Sequence, residues 1–596
     1  MSDLVLTILA LALVLLSALG TRLTIDAAAL LAVTLLMVGG VLTPAEAMSG
    51  FGNPTVMIVA CMFVLAEALN RTGAAHGLGD LVEHMGKRGP RWLLLVLLPV
   101  VMLLSGVMSN TAVVVLLLPI LVSASQRMGV SPSRLLLPLS YASILGGTLT
   151  LVGTTTTLLV DGLLRQSGLP GFSMFSLAPV AGVCAGIGLI WLVAAGPWLL
   201  RDRVGFATAI DPGTSREFFT EIVLSPRSPL VGRCLADVPS FSRAVRVLQL
   251  LRGEEIRWPP FQNVELEPGD VLFVKGEPAK ILPLLKTHRA PMRDAIASGE
   301  DGVPQDRVGR IQLALAEAMV APGSRIDGQT VREARLRERL GVLVLAVGRR
   351  GEHLRQELGS IRLRMGDVLL IEAPPEQLER LDHGDHELIR LGSTPPAPPD
   401  RGRAPWAMGI ALTALGAAAL GLLPLLVCVL GAALLLVGTR CISTTQAYRG
   451  VNLRILIILG CMLALGTAVQ KVGLAADIAE GLIAAGANWG HVGVLAALYL
   501  ATMILTELVT NAATAGVMVP IALSTADQLG TSPMPFAVGV ALAASCSFLT
   551  PVGYQTNLLV QGPGGYRLQD YLRLGVPLAL ICWLTAVLVI PLVFPF

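Results

Sequence analysis

The chain has 596 residues, of which 54% are hydrophobic and 14% charged, with a formal net charge of +3 and a mean hydropathy of +0.70. A soluble protein of this length would carry far more charge, and no basic stripe interleaved with aromatics points to nucleic acid. The eight cysteines are scattered without paired spacing, which reads as small buried hydrophobes and not as a disulfide frame.

The charges crowd into residues 201–403, between two long apolar regions. In chain order, apolar stretches long enough to span about 30 Å of hydrocarbon fall near 3–20, 24–42 and 54–70. The first lacks a basic leader and an A-x-A site, so it is expected as a retained helix. Residues 92–126 are apolar on both sides of Ser109-Asn110-Thr111. Residues 135–161 are interrupted by GGTLTLVGTTTT, and 174–200 follow. The second region repeats this order at 404–420, 424–439, 453–470, 491–525 (broken by TNAAT), 534–561 (broken by TPVGYQTN) and 574–595.

The two regions also repeat each other residue by residue. ACMFVLAEALNRTG at 60–73 is answered by GCMLALGTAVQKVG at 460–473, and VGTTTTLLV ending at Val160 by VGYQTNLLV ending at Val560. SNTAVVVLLLPI at 109–120 is answered by TNAATAGVMVPI at 510–521, one residue out of register. A duplicated apolar unit with polar interruptions at matching places is the signature of a secondary transporter.

The arms of 92–126 and 491–525 are about 15–18 residues each, short for a span. Irregular polar backbone is tolerated at membrane depth only where it lines a cavity. Both segments are therefore expected as re-entrant hairpins. Each half then crosses five times, and the second half is inverted relative to the first. With both termini periplasmic, the short inner loops hold Arg22, Arg71, Lys87, Arg88, Arg91, Arg127, Arg134, Arg201, Arg203, Arg440, Arg449, Arg567 and Arg573, whereas the outer loops hold Arg165 and Lys471. The expected fold is a polytopic α-helical membrane protein of two inverted repeats, with hairpins and broken helices, in a bacterial inner membrane. Its membrane halves would be 1–200 and 404–596.

The insert is duplicated too. EIVLSPRSPLVGRCL (221–235) is echoed by EAMVAPGSRIDGQTV (317–331), and EPGDVLFVKGEP (267–278) by RMGDVLLIEAPP (364–375). Each unit reads as strand, helical middle and final Gly-Asp-Val-Leu strand. Two cytoplasmic α+β domains are expected at 201–290 and 308–392, with a Pro-rich linker at 393–403. His383 and His386 read as a solvated tail and not as metal ligands.

Broken helices free backbone groups that need partners. Carbonyls with Asn and Thr oxygens suit a hard cation such as Na⁺; N–H groups at half-helix starts suit an anion. No Lys or Arg lies between 92 and 126 or between 472 and 566, so the pattern points to a cation-coupled anion site without formal positive charge. Two acids lie in apolar runs, Glu67 and Glu507. Glu507 precedes the second tip by one turn and reads either as a cation or proton site or as a structural hydrogen-bond acceptor. No catalytic constellation such as HExxH or GxSxG is present, so an enzyme is not expected. A ligand-gated channel would need a T-V-G-Y-G-like filter, which is absent; a sensor that binds an anion without moving it is separated from a carrier by flux alone.

On these residues the chain resembles the divalent-anion/sodium symporter family (solute carrier family 13, within the ion transporter superfamily). The match rests on SNT at the first tip, TN at the second and SFLTPVGYQTNLLVQGPGGYR at 547–567. The resemblance implies alternating access, a homodimer, and a first cation site from Ser109, Asn110, Gly153 and Thr154. It implies a second from Thr510, Asn511, Thr550, Pro551 and Val552. Asn110, Thr111 and Asn511, with Thr154 and Thr556, would bind substrate. The second tip has Ala512 where dicarboxylate carriers have Thr, and the first broken helix lacks the Pro-Asn of many members; both lean the expected substrate from a di- or tricarboxylate to sulfate. The insert resembles a pair of RCK C-terminal (TrkA-C) domains of the sulfate-transporter-like branch, which implies regulation, with cyclic di-AMP as one ligand class. It has no GxGxxG, which argues against a Rossmann nucleotide site.

Overall fold

The computed structural model describes residues 3–18, 24–72, 89–128, 130–200, 202, 218–224, 228, 230–234, 245–252, 255–257, 264–276, 314–321, 324–349, 352–353, 358–373, 377–378, 381, 387–391, 401–551 and 553–596. Two compact units emerge. One comprises residues 1–202, 397–560 and 567–596; the other comprises 203–396 with 561–566.

The first unit is helical. Among the described residues five helical stretches are long and apolar enough to cross a membrane: Pro44–Thr72 and Leu474–Leu508, each made of consecutive helices, and the single helices Ala178–Leu199, Leu453–Lys471 and Leu568–Val593. Shorter apolar helices include Asp3–Ala18, Ile25–Val38, Ala404–Ala419 and Leu425–Gly438. Each hairpin segment is two helices: Pro90–Ser105 with Asn110–Arg127, and Gly490–Leu508 with Asn511–Leu529. Each interrupted stretch is a broken helix: Leu136–Gly147 then Thr155–Gln166, and Met534–Ser545 then Gln555–Gly564. The arms of each hairpin pack on the broken helix of their own half.

Three helices go beyond the apolar reading. Pro44–Ser49 and Thr444–Gly450 are short helices opened by capping boxes, Thr43 with Glu46 and Ser443 with Gln446, at matching places in the repeat. Leu474–Gly486 fills a stretch read as loop. Seven of the eight cysteines are buried and all are free. Glu67 pairs with Arg71 one turn on, at 2.6 Å.

The second unit holds two antiparallel sheets. Strands β1 (Phe218–Val223), β2 (Val245–Arg252), β3 (Glu255–Arg257) and β4 (Val271–Gly276) lie in the order β1-β4-β2-β3. Strands β5 (Ala314–Val320), β6 (Leu343–Arg349), β7 (Glu352–His353), β8 (Val368–Ala373) and β9 (Leu388–Leu391) lie in the order β7-β6-β8-β5-β9. The first four strands of each set thus share one order, as the internal echo requires. Each sheet carries the same clasp. Arg252 grips Asp270 through two bonds of 2.8 Å, and Arg349 grips Asp367 through two of 2.7 Å. Asp270 and Asp367 also accept the backbone N–H of Glu267 and Arg364, closing the turn before the last strand of the repeat. Val320, Val344, Leu369 and Ile371 anchor the core of the second sheet. His383 and His386, and most of the Pro-rich linker, lie outside the described residues.

Candidate functional site

Each tip is set on its own broken helix by one hydroxyl. The Ser105 hydroxyl sits between two acceptors, Asn110 Oδ1 at 2.5 Å and Ser143 O at 2.7 Å. In the second half the Thr506 hydroxyl sits between Asn511 Oδ1 at 3.0 Å and Ala544 O at 2.9 Å. Ser143 and Ala544 lie in the last turns of the helices before the breaks, so both Asn side chains are fixed over the bends. A buried amide left without partners would cost roughly 1–3 kcal/mol.

The bends are built alike. Thr150 Oγ1 donates to Gly106 O at 2.5 Å and accepts Gly153 N at 3.1 Å. Thr550 Oγ1 reaches Glu507 O at 3.2 Å and accepts Gly553 N at 3.0 Å. Thr157 Oγ1 bonds Leu151 O and Thr154 O, at 2.8 and 2.9 Å. In its place in the repeat, Asn557 Nδ2 donates to Ser547 O and Thr550 O, at 3.1 and 3.2 Å. Glycine is needed where the tip and bend close up. A Cβ on Gly147 would lie 2.3 Å from Asn110 Oδ1, and one on Gly553 would lie 2.0 Å from Ser547 Oγ.

One difference between the halves changes how the bend is held. Glu507, in the second half, stands where the first half has Gly106. Glu507 Oε1 accepts Phe548 N at 2.7 Å and Leu549 N at 2.8 Å; Oε2 accepts Thr550 N at 2.9 Å and the Thr550 hydroxyl at 3.0 Å. Each of these donors points at the carboxylate, the pattern of an acid that acts only as acceptor.

The expected site residues fall into three sets. Ser109, Asn110, Gly153 and Thr154 gather at the first tip and bend, and Thr510, Asn511, Thr550 and Pro551 at the second; Val552 lies outside the described residues. Thr154 and Thr510 are N-caps, accepting the N–H of Thr157 and Ala513. Thr111 bonds Gln555 Oε1 at 3.3 Å. Thr556 is fully buried, 2.9 Å from Ser140 Oγ, and ties the two broken helices together. The residue reading missed Ser105, Thr506, Thr150, Thr157, Asn557, Tyr554 and Gln555. Their matched places in the repeat were the available signal.

In the helical unit each half sets a hairpin tip on a broken helix, and the proteins this chain resembles are transporters, not enzymes. The chain belongs to the citrate transporter (CitMHS) family, whose model matches residues 11–541. It is 33% identical over 580 residues to an uncharacterised transporter of Synechocystis, covering 96% of this chain and 94% of that one. It is 31% identical over 618 residues to the uncharacterised transporter YfbS of Escherichia coli, covering 99% of each. Sodium/sulfate cotransporter 2 of Chlamydomonas reinhardtii is 24% identical over 753 residues, covering 92% of this chain and 84% of that one. These relatives agree with the resemblance to divalent-anion/sodium symporters.

Proposed function

We propose that the protein is a secondary active symporter that couples sulfate uptake to Na⁺ by alternating access. The observation that carries this reading is the pair of matched tips: Asn110 and Asn511, each aimed by a hydroxyl over a bend of backbone carbonyls and Thr oxygens. Such oxygen sets suit a hard, weakly charged cation. Ser109, Asn110, Gly153 and Thr154 would hold one, and Thr510, Asn511, Thr550, Pro551 and Val552 another. Asn110, Thr111, Asn511, Thr154 and Thr556 would form the anion site. The sodium/sulfate cotransporters among its relatives favour this pairing of ions.

Glu507 is assigned to the second bend as a cap and not as the carrier of a transported proton, because four donors already occupy its carboxylate. The inverted arrangement of the halves draws support from ion pairs that join segments assigned to one side. Lys471 meets Glu46 at 3.0 Å on the outer side; Arg134 meets Asp202 at 2.6 Å on the inner side. The bacterial inner membrane, homodimer and cytoplasmic insert belong to the same reading. The matched sheets and clasps of the insert favour a pair of TrkA-C-like regulatory domains, with a cyclic dinucleotide as one ligand to try.

The decisive experiment is uptake of radiolabelled sulfate into proteoliposomes under a Na⁺ gradient, a H⁺ gradient, or neither. Saturable uptake that needs the Na⁺ gradient is expected. The citrate description of the matching family favours a second reading, a tricarboxylate symporter. Flux of citrate or succinate with none of sulfate would select it.

A further inference from the structure

The first tip is bridged to the second half, and among the described residues the second tip has no matching hydrogen-bonded bridge. Asn110 Nδ2 donates to the Tyr554 hydroxyl at 2.6 Å, and Thr111 Oγ1 donates to Gln555 Oε1 at 3.3 Å. Tyr554 and Gln555 stand where the first half has Thr154 and Thr155. In the reverse direction, no hydrogen bond among the described residues joins Asn511 to Thr154. The Thr154 hydroxyl instead accepts Thr157 N at 3.2 Å, and Ala512 has no hydroxyl to offer.

The bridge changes what the site presents. The Tyr554 oxygen accepts from Asn110, which leaves the hydroxyl proton to donate onward. The Gln555 oxygen accepts from Thr111, which leaves its NH₂ group to donate. Tyr554 is also the half-buried aromatic ring at a bend, whereas Phe548 is fully buried. The Tyr554 ring stands at the first tip, with its hydroxyl 2.6 Å from Asn110 Nδ2.

We infer that Tyr554 and Gln555 are specificity-determining residues of the anion site: they hold Asn110 and Thr111, add two neutral donors, and limit the site to a compact oxyanion. The inference rests on the anion-symporter reading above and assigns the size limit of that site to the second half.

Three full-length proteins in proteoliposomes test it: wild type, Tyr554→Phe and Tyr554→Thr, the last carrying the residue found at position 154. Tyr554→Phe keeps the ring and loses the hydroxyl; its sulfate KM is expected to rise about three- to tenfold, with succinate still excluded. Tyr554→Thr is expected to let succinate compete with labelled sulfate, which it does not do in wild type. Sulfate-induced thermal stabilisation gives a second readout, expected to weaken in both variants. If both variants fold and keep the wild-type KM, stabilisation and exclusion of succinate, the inference is overturned. If Tyr554→Thr does not fold, the KM of Tyr554→Phe decides alone. Wild type that moves no sulfate overturns the symporter reading itself, a result distinct from either variant's.

Discussion

At the scale of single residues, the site depends on side chains that are absent as much as on those present. Gly147 leaves the space taken by the Asn110 amide, and Gly553 the space shared by Ser547 and Glu507. Gly553→Ala is expected to destabilise the protein by about 1–3 kcal/mol through overpacking, read as a lower midpoint of thermal unfolding in detergent. Asn110→Ala and Asn511→Ala should each abolish uptake while leaving the folded protein intact; wild-type uptake in both would remove the assigned site. Glu507→Gln replaces one acceptor with an NH₂ group that faces the N–H donors of the bend. Loss of uptake at every imposed pH gradient is expected, whereas a loss confined to H⁺-driven uptake would make Glu507 a proton carrier. The two Asn residues were legible in the sequence because amides inside apolar runs stand out. Ser105 and Thr506 were not. A lone hydroxyl in a membrane helix looks like ordinary helix contact, and its partners Ser143 O and Ala544 O are backbone atoms that no residue spacing reveals.

At the scale of elements, duplication was readable and its finer joints were not. The hairpins and broken helices follow from apolar runs interrupted by Asn, Thr and Gly. The helices Pro44–Ser49 and Thr444–Gly450 escaped because capping boxes define them, not hydropathy. In the insert, the final Gly-Asp-Val-Leu motif marked a strand, but the Arg partner of each Asp lies 18 residues earlier, on another strand. Burial pushes the Asp367 carboxyl above its ordinary range, against the pull of Arg349. Arg349→Ala would leave that buried acid unpaired and should destabilise its sheet by about 3 kcal/mol or more, measured by hydrogen exchange of β6 and β8. A smaller effect acts at Glu333, whose carboxyl is held below its ordinary value by bonds from Thr330. A lowered folded value means that this contribution is present above the unfolded carboxylate range and is lost as pH falls through the lowered value. Glu333→Gln, which removes the titrating group and keeps its shape, should therefore narrow the stability difference between neutral and acid pH.

At the scale of the whole molecule, the proposed symporter reading gives one ion site to each of the two matched tips. Sodium activation of uptake is expected to be sigmoidal, with a Hill coefficient above one; a hyperbolic curve would argue that one half carries the coupling alone. The halves are nonetheless unequal in how their bends are tied. The second bend is stapled by a carboxylate through the backbone N–H of Phe548, Leu549 and Thr550, while Gly106 gives the first bend no such staple. The first bend is tied instead by the Thr150 and Thr157 hydroxyls and by the Leu151 N–H, which donates to Met174 O at 2.9 Å. A glutamate grafted at position 106 would thus not repair a lost Glu507. It would meet a bend already tied through Thr150, Leu151 and Thr157, so divergence after duplication has made the two ends of this chain non-interchangeable.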